Sequence, residues 1–145
     1  MTTLQDAMAL AAQENYLAVV PTTRLDGSVQ ASVVNAGMIA HPGTGEDVLA
    51  FVTYGPAKLR HLRARPRTAV TFRAGWRWAT VEGWAELIGP HDAYPHMGEE
   101  QVRLLLREIF RSAGGTHDDW DEYDRTMREQ GRTAVLITPD RIYGV

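Results

Sequence analysis

Two 13-residue stretches, Ser28–Ala40 and Trp76–Ile88, are β-prone and much longer than the typical strand of about five or six residues. Extended fully, Ser28–Ala40 would span roughly 43 Å at about 3.3 Å per residue, so it must bend, and Gly37 is the natural place. Asp26-Gly27 ahead of it is a hairpin signal that pairs it with the apolar run Tyr16–Val20. In Trp76–Ile88 the alternation puts Trp76, Trp78, Thr80, Glu82, Trp84 and Glu86 on one face. Ala79, Val81, Ala85 and Leu87 fall on the other. Long strands joined by tight turns favour a closed antiparallel barrel over a parallel sheet.

The remaining elements fit that frame. Thr3 and Asp6 form a capping-box pattern ahead of a helix reaching about Gln13. Val48–Thr53 and Thr68–Phe72 read as strands, with a short helix from Pro56 to about Ala64 between them. Glu99–Ala113 reads as a helix with Val102, Leu105, Leu106 and Ile109 as its apolar stripe, broken by Gly114-Gly115. Thr116 with Asp119 then begins a second helix, with Trp120, Tyr123 and Met127 on one side. Arg132–Thr138 and Arg141–Val145 read as two closing strands separated by Pro139-Asp140. The order predicts a mainly β, α+β chain, residues 1–145 forming one domain.

Composition narrows the partners. A net charge of -3 argues against a general nucleic-acid binder. The absence of cysteine excludes disulfides, thiolate metal sites and cysteine nucleophiles. The five histidines show no metal-ligand spacing, and no metal is expected. No apolar run approaches the roughly 20 residues of a membrane span, and the first residues lack a signal-peptide pattern, so the expectation is a cytoplasmic protein. Glu82 and Glu86, about 13 Å apart along a strand, are too distant to work as a carboxylate pair. With no local nucleophile or acid–base pair, the chemistry points to a cofactor.

One local rule is broken. Gly55 and Pro56 mark a helix start, yet the first turn carries Lys58 and Arg60, whose charges oppose the helix dipole. Cations beside free backbone N–H groups suit a bound anion, and the hydroxyl of Thr53 lies at the strand end feeding the same turn. Neither a P-loop string nor a dinucleotide fingerprint is present.

The segment Ala57-Lys-Leu-Arg-His-Leu-Arg-Ala-Arg-Pro-Arg-Thr-Ala-Val70 resembles the K-x-x-N-L-x-x-x-P-R-x-A motif of the split β-barrel flavin and deazaflavin oxidoreductases, the pyridoxamine-phosphate-oxidase-like superfamily. Val81–Leu87 is similar to that family's V-x-G-x-A-x-L strand. His117–Tyr123 with Arg141–Gly144 resembles a narrower group that uses the deazaflavin coenzyme F420. His61 stands where the family motif has Asn, and Pro56 where close relatives often carry a basic residue.

The resemblance implies a split antiparallel β-barrel, homodimeric, with cofactor sites at the subunit interface and F420 as cofactor (FMN the alternative). The cofactor phosphate would lie on Lys58 and Arg60, and the ring along Gln30, Ser32, Phe51, Val52 and Thr53. Trp76, Trp78 and Ala79 would come from the other subunit. The implied reaction is hydride transfer to an electron-poor small-molecule substrate, with no catalytic side chain named. An FMN-binding enzyme or carrier, or a non-catalytic dimer binding a cofactor or haem, are the other readings. Arg63, Arg65 and Arg77 are candidates for the acidic tail of F420.

Overall fold

The computed structural model describes residues 1–144. Its elements are α1 (Leu4–Ala11), β1 (Leu17–Thr23), β2 (Val29–Ala40), β3 (Asp47–Thr53), α2 (Pro56–Ala64), β4 (Arg67–Ala74), β5 (Arg77–Ile88), α3 (Glu99–Ser112), α4 (Trp120–Glu129) and β6 (Thr133–Gly144). All six strands pair antiparallel and close into a barrel in the order β1-β2-β3-β6-β5-β4. This is the closed antiparallel barrel expected from the long strands, and it agrees with the split barrel that the resemblance implies.

Local chemistry explains the ends of several elements. Thr3 and Asp6 close a capping box on α1: the Asp6 N–H donates to Thr3 Oγ1 at 3.1 Å, and the Thr3 N–H to Asp6 Oδ2 at 2.8 Å. Those bonds hold the Asp6 carboxyl below its ordinary range. α1 sets Leu4, Ala7, Leu10 and Ala11 against the barrel interior, where they join Val20, Phe51, Phe72, Val81 and Ile137 in one core. A second core lies outside the barrel. Val48, Ala50 and Leu136 on β3 and β6 pack there against Leu105, Leu106 and Ile109 of α3. β3 and β6 are therefore apolar on both faces, as strands covered on both sides must be.

β2 supplies the feature that positions the site. From Val29 to Asn35 it pairs with β1; from Ala36 to Ala40 it pairs with β3. The edge of Val29–Asn35 that faces away from β1 has no strand partner, and this is the split in the barrel. Gly37, expected as a bend, sits just past the change of partner. A Cβ there would lie 2.2 Å from Ser112 Oγ, so glycine is what lets the end of α3 lie on β2.

Several boundaries differ from the sequence reading; α4, for one, begins at Trp120 with Asp119 and not Thr116 as its cap. The closing strand is continuous, not two pieces around Pro139-Asp140. Pro139 lies opposite Gly83, where the β5–β6 register slips, and the irregularity accommodates a residue with no N–H to donate. Val145, the expected end of that strand, lies outside the described residues. Trp76 belongs to the β4–β5 turn and not to β5, and Tyr16 precedes β1.

Candidate functional site

A cavity of about 950 Å³ opens in the split of the barrel. Its floor is the end of β3 and the turn into α2, with Val52, Thr53, Tyr54, Gly55, Pro56 and Lys58. One wall is β2 at Val33–Asn35. The roof is Phe110 and Gly114 beyond it from α3, with Tyr123 and Met127 from α4, and Arg132 closes the far end. The volume matches sites for drug-sized or cofactor-sized molecules, roughly 300–1,000 Å³.

Two cations define the electrostatics. Lys58 is half-buried, and its Nζ lies 3.5 Å from Thr53 Oγ1 and 6.0 Å from the Phe51 ring centroid. Burial pulls its pKa below the ordinary lysine value. Arg132 is also half-buried, with its guanidinium carbon 3.9 Å from the Tyr54 ring centroid, and burial lowers its pKa as well. Neither has a carboxylate within ion-pair distance among the described residues. The N-terminus of α2 adds to this field: Gly55 gives no side-chain cap and the first turn has no acid, so its backbone donors stay free. A cavity with two partly dehydrated cations and an open helix start suits an anionic group.

The roof is held by charge as well as packing. Arg103 and Arg107 of α3 both donate to Asp124 of α4, which holds the Asp124 carboxyl below its ordinary range. Tyr123 donates its phenol to the Leu106 carbonyl at 3.1 Å, and burial pushes its pKa up to about 12. At the mouth, Asn15 and Tyr16 both take left-handed backbone, with φ of 57° and 58°. For non-glycine residues this is uncommon and is found where surroundings over-determine the chain. Here Asn35 Nδ2 donates to the Asn15 carbonyl at 2.7 Å, and the Ala36 N–H to the Tyr16 carbonyl at 2.9 Å.

The expected site residues divide into groups. Lys58, Thr53 and Val52 line the cavity together. Phe51 lies beneath Lys58, fully buried in the barrel core. Arg60 is exposed on α2 and does not line the cavity. Gln30 and Ser32 are half-buried on β2 and do not line the cavity; the residues of this strand that line it are Val33, Val34 and Asn35. Trp76 and Trp78 are exposed and Ala79 is fully buried in the core, so Ala79 can offer only backbone to any ligand. In barrel order these three are separated from β2 by β4 and β1, and one chain alone does not bring them to the cavity.

Of the three arginines expected to meet an acidic tail, Arg77 is exposed, Arg63 is held by Asp92 through bonds of 2.7 and 2.6 Å, and Arg65 donates to the Thr23 carbonyl at 2.8 Å. Arg63 and Arg65 are thus engaged within the fold. Sequence reasoning missed Arg132, Tyr16, Asn35 and Phe110. Tyr123 and Met127 were legible as a helix stripe, without any sign of what they cover.

The outer barrel face that continues from Val33 carries exposed apolar side chains. One row across five strands runs Val33, Val19, Thr71, Thr80 and Tyr143. Val33 is 62% and Val19 46% exposed, with Leu17, Trp78 and Trp84 also uncovered on this side. Such a contiguous face suits association. No cluster of three metal-ligating side chains occurs among the described residues, and no helix there is long and apolar enough to cross a membrane.

A profile described as pyridoxamine 5'-phosphate oxidase matches residues 4–145. Among solved structures, a candidate 5-nitroimidazole antibiotic resistance protein from Bacteroides thetaiotaomicron superposes with a TM-score of 0.69 at 19% identity. The match covers 99% of this chain and 84% of that one. An FMN-binding protein related to pyridoxamine 5'-phosphate oxidase, from Nostoc punctiforme, gives 0.62 at 12% identity over 98% and 84%. A protein named F420 reductase gives 0.58 at 15% over 90% and 91%. At these identities the structural likeness shows the fold alone.

Proposed function

The chain belongs to the pyridoxamine 5'-phosphate oxidase family, and on that premise we propose that it is an oxidoreductase using coenzyme F420 to reduce an electron-poor small molecule. The observation that carries the reading is the cavity itself: a partly apolar cleft that ends in two cations without carboxylate partners among the described residues and an uncapped helix start. A planar ring bearing a phosphate has both halves of that chemistry.

Lys58 and the free N–H groups of α2 would hold the phosphate, in a setting where partial burial strengthens the attraction. The unpaired edge of β2 offers backbone donors and acceptors to the polar rim of a ring, while Val33 and Val52 meet its apolar face. Bound there, a reduced deazaflavin supplies a hydride to the substrate. The chain's part is to orient the ring, exclude water with Phe110, Tyr123 and Met127, and leave one side open for substrate.

The second subunit enters through the apolar row of β2, β1, β4, β5 and β6. Packed against a copy of itself in a homodimer, that face would bury Val19 and Val33 and bring Trp76 and Trp78 of the partner to the open side of the cleft. FMN is the second reading. It is favoured by the engagement of Arg63 and Arg65, which removes two cations that an acidic F420 tail would use.

The test is anaerobic mixing of reduced F420, and separately reduced FMN, with quinones and enones in the presence and absence of the protein. Protein-dependent oxidation of reduced F420 by at least one acceptor is expected. Acceleration with FMN alone would transfer the reading to the flavin. Binding of F420 with no acceleration by any acceptor would make the protein a carrier and overturn the enzyme reading.

A further inference from the structure

Arg132 has no role in the anion site read from the sequence, yet its backbone is fixed by the end of α4. α4 ends in a Schellman motif. The Gly131 N–H donates to the Arg128 carbonyl at 3.2 Å, the Arg132 N–H donates to the Met127 carbonyl at 2.9 Å, and Gly131 has a φ of 62°. The motif pins the backbone of Arg132 at the junction of α4 and β6. The next residue, Thr133, lies opposite Thr53 across the β3–β6 ladder. Arg132 therefore stands beside the strand end from which the α2 turn departs. Its guanidinium stacks over Tyr54, the residue after Thr53.

The hydrogen bonding of this side chain is incomplete. Nε donates to Gln130 Oε1 at 2.8 Å, and the two terminal nitrogens have no protein acceptor among the described residues. By contrast, Arg63, Arg67, Arg103 and Arg107 each meet a carboxylate. A half-buried guanidinium, with its backbone pinned, its plane stacked on a phenol and its fork unpaired, is arranged for a planar bidentate contact to an oxyanion.

We propose that Arg132 is a second anion-binding residue of the cavity, gripping the ligand's phosphate from the β6 side while Lys58 and the α2 turn hold it from the other. The inference rests on the reading of the cavity as a phosphorylated-cofactor site. It adds a consequence: because only Gln130 and Gly131 separate Arg132 from α4, phosphate bound there couples to the roof helix. Ligand binding then slows amide exchange in α4.

The experiment compares wild type, Arg132→Met and Arg132→Lys in three measurements. The first is the thermal shift produced by inorganic phosphate against chloride at matched ionic strength. The second is titration with FMN and riboflavin, and with F420 and its phosphate-free chromophore. The third is amide exchange across α4 with and without the tighter phosphorylated ligand, or inorganic phosphate if neither cofactor binds.

Arg132→Met should weaken the phosphorylated member of each pair by roughly 10- to 100-fold, leave the phosphate-free member unchanged, and abolish the α4 protection. Arg132→Lys should fall between, because it keeps the charge and loses the fork. A wild type that prefers phosphorylated ligands, with Arg132→Met keeping that preference in full, would overturn the role of Arg132 and leave the cofactor reading standing. A wild type stabilised by phosphate through Arg132 but binding neither flavin nor deazaflavin would support the anion site and overturn the cofactor reading. No response to phosphate or to any cofactor would overturn both.

Discussion

Replacing Lys58 by Met separates what this residue does for the ligand from what it does to the fold. The two side chains are similar in length, and both are unbranched. In the unliganded protein the ammonium is half-buried, its nearest polar neighbour is Thr53 Oγ1 at the long distance of 3.5 Å, and no carboxylate balances it. Burial depresses its pKa, so folding works against its charged form. A lysine with a folded pKa below its unfolded value contributes stability above the unfolded pKa and loses it as pH falls through the folded one. Below the folded pKa the penalty is fully present.

Lys58→Met should therefore stabilise the unliganded protein, by no more than about 0.5 kcal/mol because solvent screens a half-exposed charge. For a chain of 145 residues that is an increase in Tm of about 1–2 °C. The same substitution removes a charged hydrogen bond to the ligand, about 1.5–3 kcal/mol, or roughly a 10- to 150-fold loss of affinity. The assays are calorimetric melting without ligand at neutral and alkaline pH, and fluorescence titration with F420 and FMN. The stability gain should shrink as pH rises through the folded pKa of Lys58. A variant that melts lower than wild type and binds the cofactor as well as wild type would refute the reasoning.

Other predictions follow from the roof, the strand contact and the outer face. Tyr123→Phe should lose about 1 kcal/mol with the bond to the Leu106 carbonyl. Because the folded pKa of Tyr123 is raised to about 12, the wild type should lose stability as pH climbs from the ordinary tyrosine range toward that value, a slope the variant lacks; pH-dependent melting reads both. Gly37→Ala should destabilise by about 1–3 kcal/mol in denaturant unfolding, since its Cβ would meet Ser112 Oγ at 2.2 Å and backbone carbon at 2.5 Å. Paired Val19→Glu and Val33→Glu substitutions should leave the fold intact by circular dichroism and convert a dimer to monomer in light scattering. A wild type that is monomeric at high concentration would overturn the dimer proposal.

The barrel was legible because its strands carry strong local signals: Asp26-Gly27 between β1 and β2, alternation along β5, and Gly55-Pro56 opening α2. The anion site was half legible for a related reason. Lys58 violates a helix rule, and such a violation is visible in one segment alone. Arg132 was not legible, since a basic residue before a strand breaks no rule; it gains meaning only when β6 lies beside β3 and Arg132 reaches Tyr54. The β2 wall was only partly legible. Period-two alternation identifies the two faces of a strand, but the consecutive residues Val33, Val34 and Asn35 line the cavity because β2 parts from β3 there, which is a tertiary event. Pro139 misled for the opposite reason, since a bulge opposite Gly83 lets it remain in a strand.

The central claim is that the split beside β2 holds a phosphorylated ring cofactor. Equilibrium titration of the purified protein with F420 and FMN, each at low and high salt, tests it most directly. Binding of one of them at micromolar concentration or tighter, weakened by salt and by Lys58→Met, is the predicted result. No binding of either cofactor at micromolar concentration, at either salt, would contradict it.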